Sequence, residues 1–199
     1  MGLRERAIER PASKTCGWPL SHPDYQAWLT RSSVGEHRGL LRLLGHPGSG
    51  KSVLMKALAS ECATNAKCPQ MHVATFFFDA RDTSDQKSML GFMKTILFQL
   101  LPICAKTYNH FNNLHDQKIG RDDEDGAIDW HVGDLRDVLL RFCSVNRDVP
   151  IYIFIDAVDE CGDIEGNSTD ARSFADFLQE LADTSYDAGS KVNICLSSR

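Results

Sequence analysis

The stretch Gly45-His-Pro-Gly-Ser-Gly-Lys-Ser52 decides how this chain is read. It fits the phosphate-binding pattern G-x-x-x-x-G-K-[ST] at every constrained position. Gly45, Gly48 and Gly50 free the backbone to turn its N–H groups inward, toward a phosphate. Lys51 supplies a point charge for the β and γ phosphates, and Ser52 a hydroxyl for Mg²⁺. His46, Pro47, Ser49 and Val53 complete the candidate nucleotide-binding run. A random chain of this length matches the pattern roughly once in 150 tries, so the flanks must decide. The pattern requires a strand before it and a helix behind it. Gly39-Leu-Leu-Arg-Leu-Leu44 is a short apolar run of buried-strand type, and Val53, Leu54, Ala57, Leu58 and Cys62 recur at helical spacing. That helix aims its positive end at the same phosphate.

Outward from the loop, strands and helices alternate. Strands are expected at about 39–44, 72–78, 150–156 and 192–197. Helices are expected at about 51–65, 86–101 (ended by Pro102), 130–146 (capped by Asp129) and 169–183 (capped from Asn167, Ser168 or Thr169). Such alternation implies an α/β fold, a three-layer sandwich about a mostly parallel sheet. Residues 1–37 read as a leader with a short helix after Pro23 carrying Tyr25, Trp28 and Leu29 on one side. Residues 38–199 read as the nucleotide-binding domain. Phe76 to Phe78 read as core. The polar run 118–129 reads as a surface loop. Its DDEDG is no calcium loop, because Arg121 and Val132 would stand at ligand positions one and twelve.

Strand three closes as Ile-Tyr-Ile-Phe-Ile-Asp156-Ala-Val-Asp-Glu160. A buried apolar strand ending in Asp is the expected partner of a phosphate loop, its carboxylate holding Mg²⁺ opposite Ser52. Asp159 and Glu160 follow at the carboxyl edge, where ligands bind in open α/β sheets. Either could orient or deprotonate an attacking water, and the sequence does not choose between them. Arg199, closing strand four, could reach a γ-phosphate, and Arg81 after strand two is a weaker candidate.

Composition sets the bounds. The net charge of −5 gives no field for nucleic acid or an anionic membrane surface, and no apolar run reaches the ~18 residues of a membrane span. The charged start has no apolar signal core, and Arg6 stands where a myristoylation signal needs Ser or Thr. Seven widely spaced cysteines without a C-x-x-C suit reduced, buried thiols in a cytoplasmic protein.

Together, LLRLLGHPGSGKSVLMKAL, ATFFFDARD, IYIFIDAVDEC and VNICLSSR resemble a NACHT domain of the fungal type, in the signal-transduction ATPase (STAND) class of P-loop NTPases. Ala157 after the acid, then Val158-Asp159-Glu160, resembles the NACHT form of that motif. The leader segment KTCGWPLSHPDYQAWL is similar to what precedes NACHT, with Pro19 a departure. The resemblance covers about residues 13 to 199. It implies strand four lying between strands one and three, with Lys51 and Ser52 on phosphate and Mg²⁺, Asp156 as the Walker B acid, Asp159 or Glu160 activating water, and Arg199 as sensor. It further implies a nucleotide-driven switch with self-association or signalling partners. By that family's topology the chain stops after the fourth core strand. Strand one is then left as an exposed edge, with poor solubility expected of the fragment.

Three functions compete on this reading. The first is a regulatory NTPase that binds and slowly hydrolyses ATP or GTP with Mg²⁺. The second is a small-molecule kinase. The third is a nucleotide-binding scaffold without turnover. The acids after Asp156 favour water activation over transfer, and the lack of an [NT]-K-x-D signature favours ATP over GTP.

Overall fold

The structure, a computed structural model, describes residues 3–8, 17–64, 71–80, 87–119, 128, 130–162 and 169–199. Its centre is a sheet of four parallel strands, β1 (Leu40–Leu44), β2 (His72–Phe77), β3 (Ile151–Asp156) and β4 (Val192–Ser198), in the order β1-β4-β3-β2. The α/β three-layer expectation holds, and β4 does lie between β1 and β3. Registers such as Leu44 opposite Ser198 and Phe77 opposite Asp156 bring the strands' carboxyl ends out together.

Alternation along the strands builds two cores. Ile151, Ile153 and Ile155 face one way with Phe76, Phe78, Ile194 and Leu196. There they meet α5 (Met89–Leu100), α7 (Val132–Val145) and α8 (Thr169–Asp187). Tyr152, Phe154, Phe77 and Cys195 face the other way, onto α4 (Lys51–Thr64) and α2 (Pro23–Thr30). Phe174 meets Phe78 and Phe92 edge-to-face in the first core, with ring centroids 5.2 and 4.9 Å apart. All three phenylalanines 76–78 are buried.

Helix α2 belongs to the second core. Trp28 is wholly buried against Tyr152 and Phe154, and its indole N–H donates to the Gly39 carbonyl at 2.8 Å. Asn193 returns a bond to the Trp28 carbonyl at 2.7 Å, and the Tyr152 hydroxyl donates to the Leu29 carbonyl at 2.8 Å. The first helix, α1 (Leu3–Ala7), rests on α4 and β2. Lys56 donates to the carbonyls of Glu5 and Ile8, and Thr75 donates to the Glu5 carboxylate.

Two elements depart from the sequence expectation. Residues Ala105–Ile119 form α6, a helix that the sequence pattern did not mark. Its only fully buried side chain is Thr107, and its apolar stripe is thin, with Phe111 and Leu114 only partly buried against the first core. Packing against α7 and a stack of Phe111 on Trp130 at 5.0 Å hold it instead. Helix α7 opens at His131, whose N–H donates to the Asp134 carboxylate, whereas the cap expected at Asp129 lies outside the described residues. The caps proposed at Asn167 and Ser168 lie outside them too, as does Arg81. Cys62, Cys104, Cys143, Cys161 and Cys195 are buried, and burial alone pushes the Cys143 thiol up to about 12. They behave as small apolar core residues.

Candidate functional site

The loop between β1 and α4 takes the shape its glycines allow. Gly48 and Gly50 stand at φ +76° and +84°, the left-handed region that a side chain disfavours. At Gly45 space is the constraint, since a Cβ there would lie 3.1 Å from the Ser49 hydroxyl. The loop is stitched to β4 by the Gly45 N–H, which donates to the Ser198 carbonyl at 3.3 Å. Lys51 opens α4 and folds back over the loop, its ammonium donating to the carbonyls of Gly45 and His46 at 2.6 and 2.9 Å. Ser52 follows in the first helical turn.

Beside the loop lies a cavity of about 160 Å³. Pro47, Gly48, Ser49, Lys51 and Ser52 form one wall. Asp156, Ala157, Asp159 and Glu160 form the second, and Ser197 and Arg199 the third. The parallel register thus brings together side chains more than a hundred residues apart. Asp156 is 1% exposed. Its Oδ1 accepts from the Ser197 hydroxyl at 2.6 Å, while its Oδ2 is buried with no hydrogen-bond partner. A buried carboxylate oxygen without a partner is costly and asks for a donor or a cation. The same Ser197 hydroxyl accepts from the Ala157 N–H at 2.9 Å. Ala157 sits at φ 57°, so the chain turns sharply off β3 into the 3-10 turn Val158–Glu160. A bulkier or β-branched side chain would fit that backbone poorly.

The two acids on that turn are both held by arginines. Asp159 accepts from the Arg199 backbone N–H at 3.1 Å and pairs with the Arg199 side chain at 2.7 Å. Glu160 accepts from both terminal nitrogens of Arg4 on α1, and from the Ala80 N–H at 3.1 Å. Burial works to raise the Glu160 carboxyl. The bonds from Arg4 and Ala80 outweigh it and hold the group below its ordinary range. On the Arg4 side, burial opposes the charge and the Glu160 bond overcomes it. The sequence reading gave Ser197 no role in the cavity and missed Arg4 altogether. Arg4 lies ahead of every motif, and only the docking of α1 carries it there.

A larger cavity of about 710 Å³ opens on the other side of the loop. Gly45, His46, Ser49, Gly50, Lys51 and Val53 line its floor, and Trp18, Pro19, His22 and Tyr25, ahead of β1, form its wall. The candidate residues therefore divide. Ser49 and Lys51 face both cavities, Pro47, Gly48 and Ser52 only the smaller, and His46 and Val53 only the larger.

Known proteins bear on this arrangement. The family model described as Nephrocystin 3, N-terminal, matches residues 14–199. The chain belongs to that family. Over 47 residues it is also 47% identical to the peroxisomal ATPase PEX6 of Dictyostelium discoideum. That match takes in 24% of this chain and 4% of the relative, so the chain spans only a small fraction of the relative's length. The similarity is thus to an ATPase, and the parallel α/β sheet fits a P-loop nucleotide-binding architecture. No helix among the described residues is long and apolar enough to cross a membrane.

Proposed function

We propose that this member of the Nephrocystin 3 N-terminal family is a nucleotide-binding regulatory module of NACHT type that takes ATP, or GTP, with Mg²⁺. The observation that carries the reading is the unpartnered, buried Oδ2 of Asp156, in the same cavity as Lys51 and Ser52. That donor set suits Mg²⁺, which binds through one or two carboxylates, a hydroxyl and phosphate oxygens and keeps several waters. Asp156 and Ser52 would hold the ion, which would offset phosphate charge when bound. Loop N–H groups, the start of α4 and the Lys51 ammonium would receive the phosphates. The larger cavity, continuous with Gly45–Lys51, would take the nucleoside.

Asp159 and Glu160 are the candidates for orienting water. With both carboxylates held by arginines, one pair must open before its acid can accept a proton, which suits a slow switch better than a fast metabolic enzyme. The same pairing favours a second reading, a module that binds nucleotide without turnover. Phosphate release from MgATP without any acceptor separates the two. Self-association or signalling partners and a cytoplasmic location belong to the switch reading.

The test of the site is Lys51→Ala. It should abolish the rise in melting temperature that MgATP gives the wild type, because the phosphates lose their charge partner. An equal rise in the variant would overturn the assignment.

A further inference from the structure

The phosphate cavity contains a cation that neither the loop pattern nor the matched family region supplies. Arg4 lies ahead of residue 14, where the family match begins, yet it lines the cavity with Lys51, Ser52 and Asp156. It is held there. Lys56 binds the carbonyls of Glu5 and Ile8 at 2.6 and 2.8 Å, and the Glu5 side chain accepts from Thr75 at 3.1 Å on β2. Glu5 is 6% exposed, so the chain just after Arg4 is anchored to both α4 and β2.

The cavity's charges explain what Arg4 does there. Asp156, Asp159 and Glu160 bring three negative charges to a space that must admit a polyphosphate. Arg199 answers Asp159. Lys51 binds loop carbonyls rather than an acid. Glu160 is answered by Arg4, through a guanidinium meeting both carboxylate oxygens. Without Arg4, Glu160 would stand as an uncompensated carboxylate beside the phosphates, and like charges in a partly desolvated cavity repel strongly.

Resting on the nucleotide-site reading above, we propose that Arg4 is a positioning residue of that site, the counter-ion that holds Glu160 and lets a polyphosphate bind beside it. The N-terminal helix is thereby part of the site, and whatever detaches α1 weakens nucleotide binding. By linkage, bound nucleotide must favour the docked helix equally.

The experiment measures MgATP and MgADP affinity by calorimetry for the wild type, R4Q, R4K, E160Q and the double variant R4Q/E160Q, each checked for folding by its melt without nucleotide. R4Q should weaken MgATP binding about tenfold, and MgADP binding less, because the diphosphate carries less charge. E160Q should tighten binding a few-fold, since Arg4 is then free to serve the phosphates. The double variant should return to within about threefold of the wild type, and R4K should stay near it. Where R4Q is too unstable to measure, R4K and the double variant carry the test. Unchanged affinity in R4Q overturns the proposal. So does a double variant that binds as weakly as R4Q, which would mean Arg4 is only a structural support. If the wild type binds MgATP no better than Lys51→Ala, the nucleotide-site reading itself fails, a result distinct from a wild type that binds and an R4Q that binds equally well.

Discussion

Arg31 at one end of the sheet and Arg4 and Arg199 at the other bind opposite kinds of partner. At the amino end, Arg31 reaches under β4 and donates to the carbonyls of Ser190 and Val192 at 3.1 and 3.0 Å, and to the Asn193 side chain. Each partner is neutral, and burial lowers the Arg31 pKa. Together with the bonds linking Trp28, Gly39, Asn193, Leu29 and Tyr152, this arginine ties α2 to the sheet. At the carboxyl end, Arg4 and Arg199 are bound to Glu160 and Asp159, carboxylates that line an open cavity. Both ends contain a buried side-chain atom without a partner, the Ser190 hydroxyl at one and Asp156 Oδ2 at the other. An unpaired hydroxyl costs little beside an unpaired carboxylate oxygen. Neutral hydrogen bonds thus close the amino end around Arg31, while the carboxyl end carries charge that a ligand can use.

That contrast can be broken at its strongest point first. Trp28→Ala removes a fully buried indole and its bond to Gly39, and should cost about 3–5 kcal/mol in urea unfolding. A loss below about 1 kcal/mol would mean that α2 is dispensable to the core. At the other end, Glu160→Gln should cost only about 1 kcal/mol at pH 7, as expected for a partly exposed ion pair. Its pH dependence sharpens the comparison. Because the folded carboxyl is held below the ordinary 4.5, its stabilisation is complete above that value and is lost as pH falls through the lowered folded value. The gap in melting temperature between wild type and E160Q should therefore narrow as pH falls below the ordinary 4.5. A gap that stays constant as the pH is lowered through the acid range would show that the pair is not what the substitution removed. The smallest effect is expected at Ala157, whose φ of 57° suits glycine better. Ala157→Gly should raise stability by about 0.5 kcal/mol, strain relief exceeding the added chain entropy. A loss would show that the turn needs the methyl group.

How much of this was legible depended on where the signal lay. The four strands, the loop, α4, α5, α7 and α8 each carry their own periodicity or motif, so the sequence marked them within a few residues. Helix α6 carries only a thin apolar stripe, Phe111 and Leu114 beside Thr107, and it is held by Phe111 on Trp130 and by α7, contacts that a local pattern does not record. Asp156, Asp159, Glu160 and Arg199 could be named from their strand ends. Their pairing could not. Whether Asp159 meets Arg199 or a ligand, and whether Glu160 meets water or Arg4, depends on how β3, β4 and α1 are placed.

The chain's order of residues alone determined the alternation of strands and helices, the left-handed glycines of the loop and the acid at the end of β3, because these follow from side-chain period and backbone sterics within a few residues. Only the tertiary structure decided the contact of Ser197 with Asp156, the depth that leaves Asp156 Oδ2 without a partner, and the arrival of Arg4 at Glu160. Those are matters of burial and charge between residues up to 156 positions apart. Their strength depends on a desolvated environment that does not exist until the layers close.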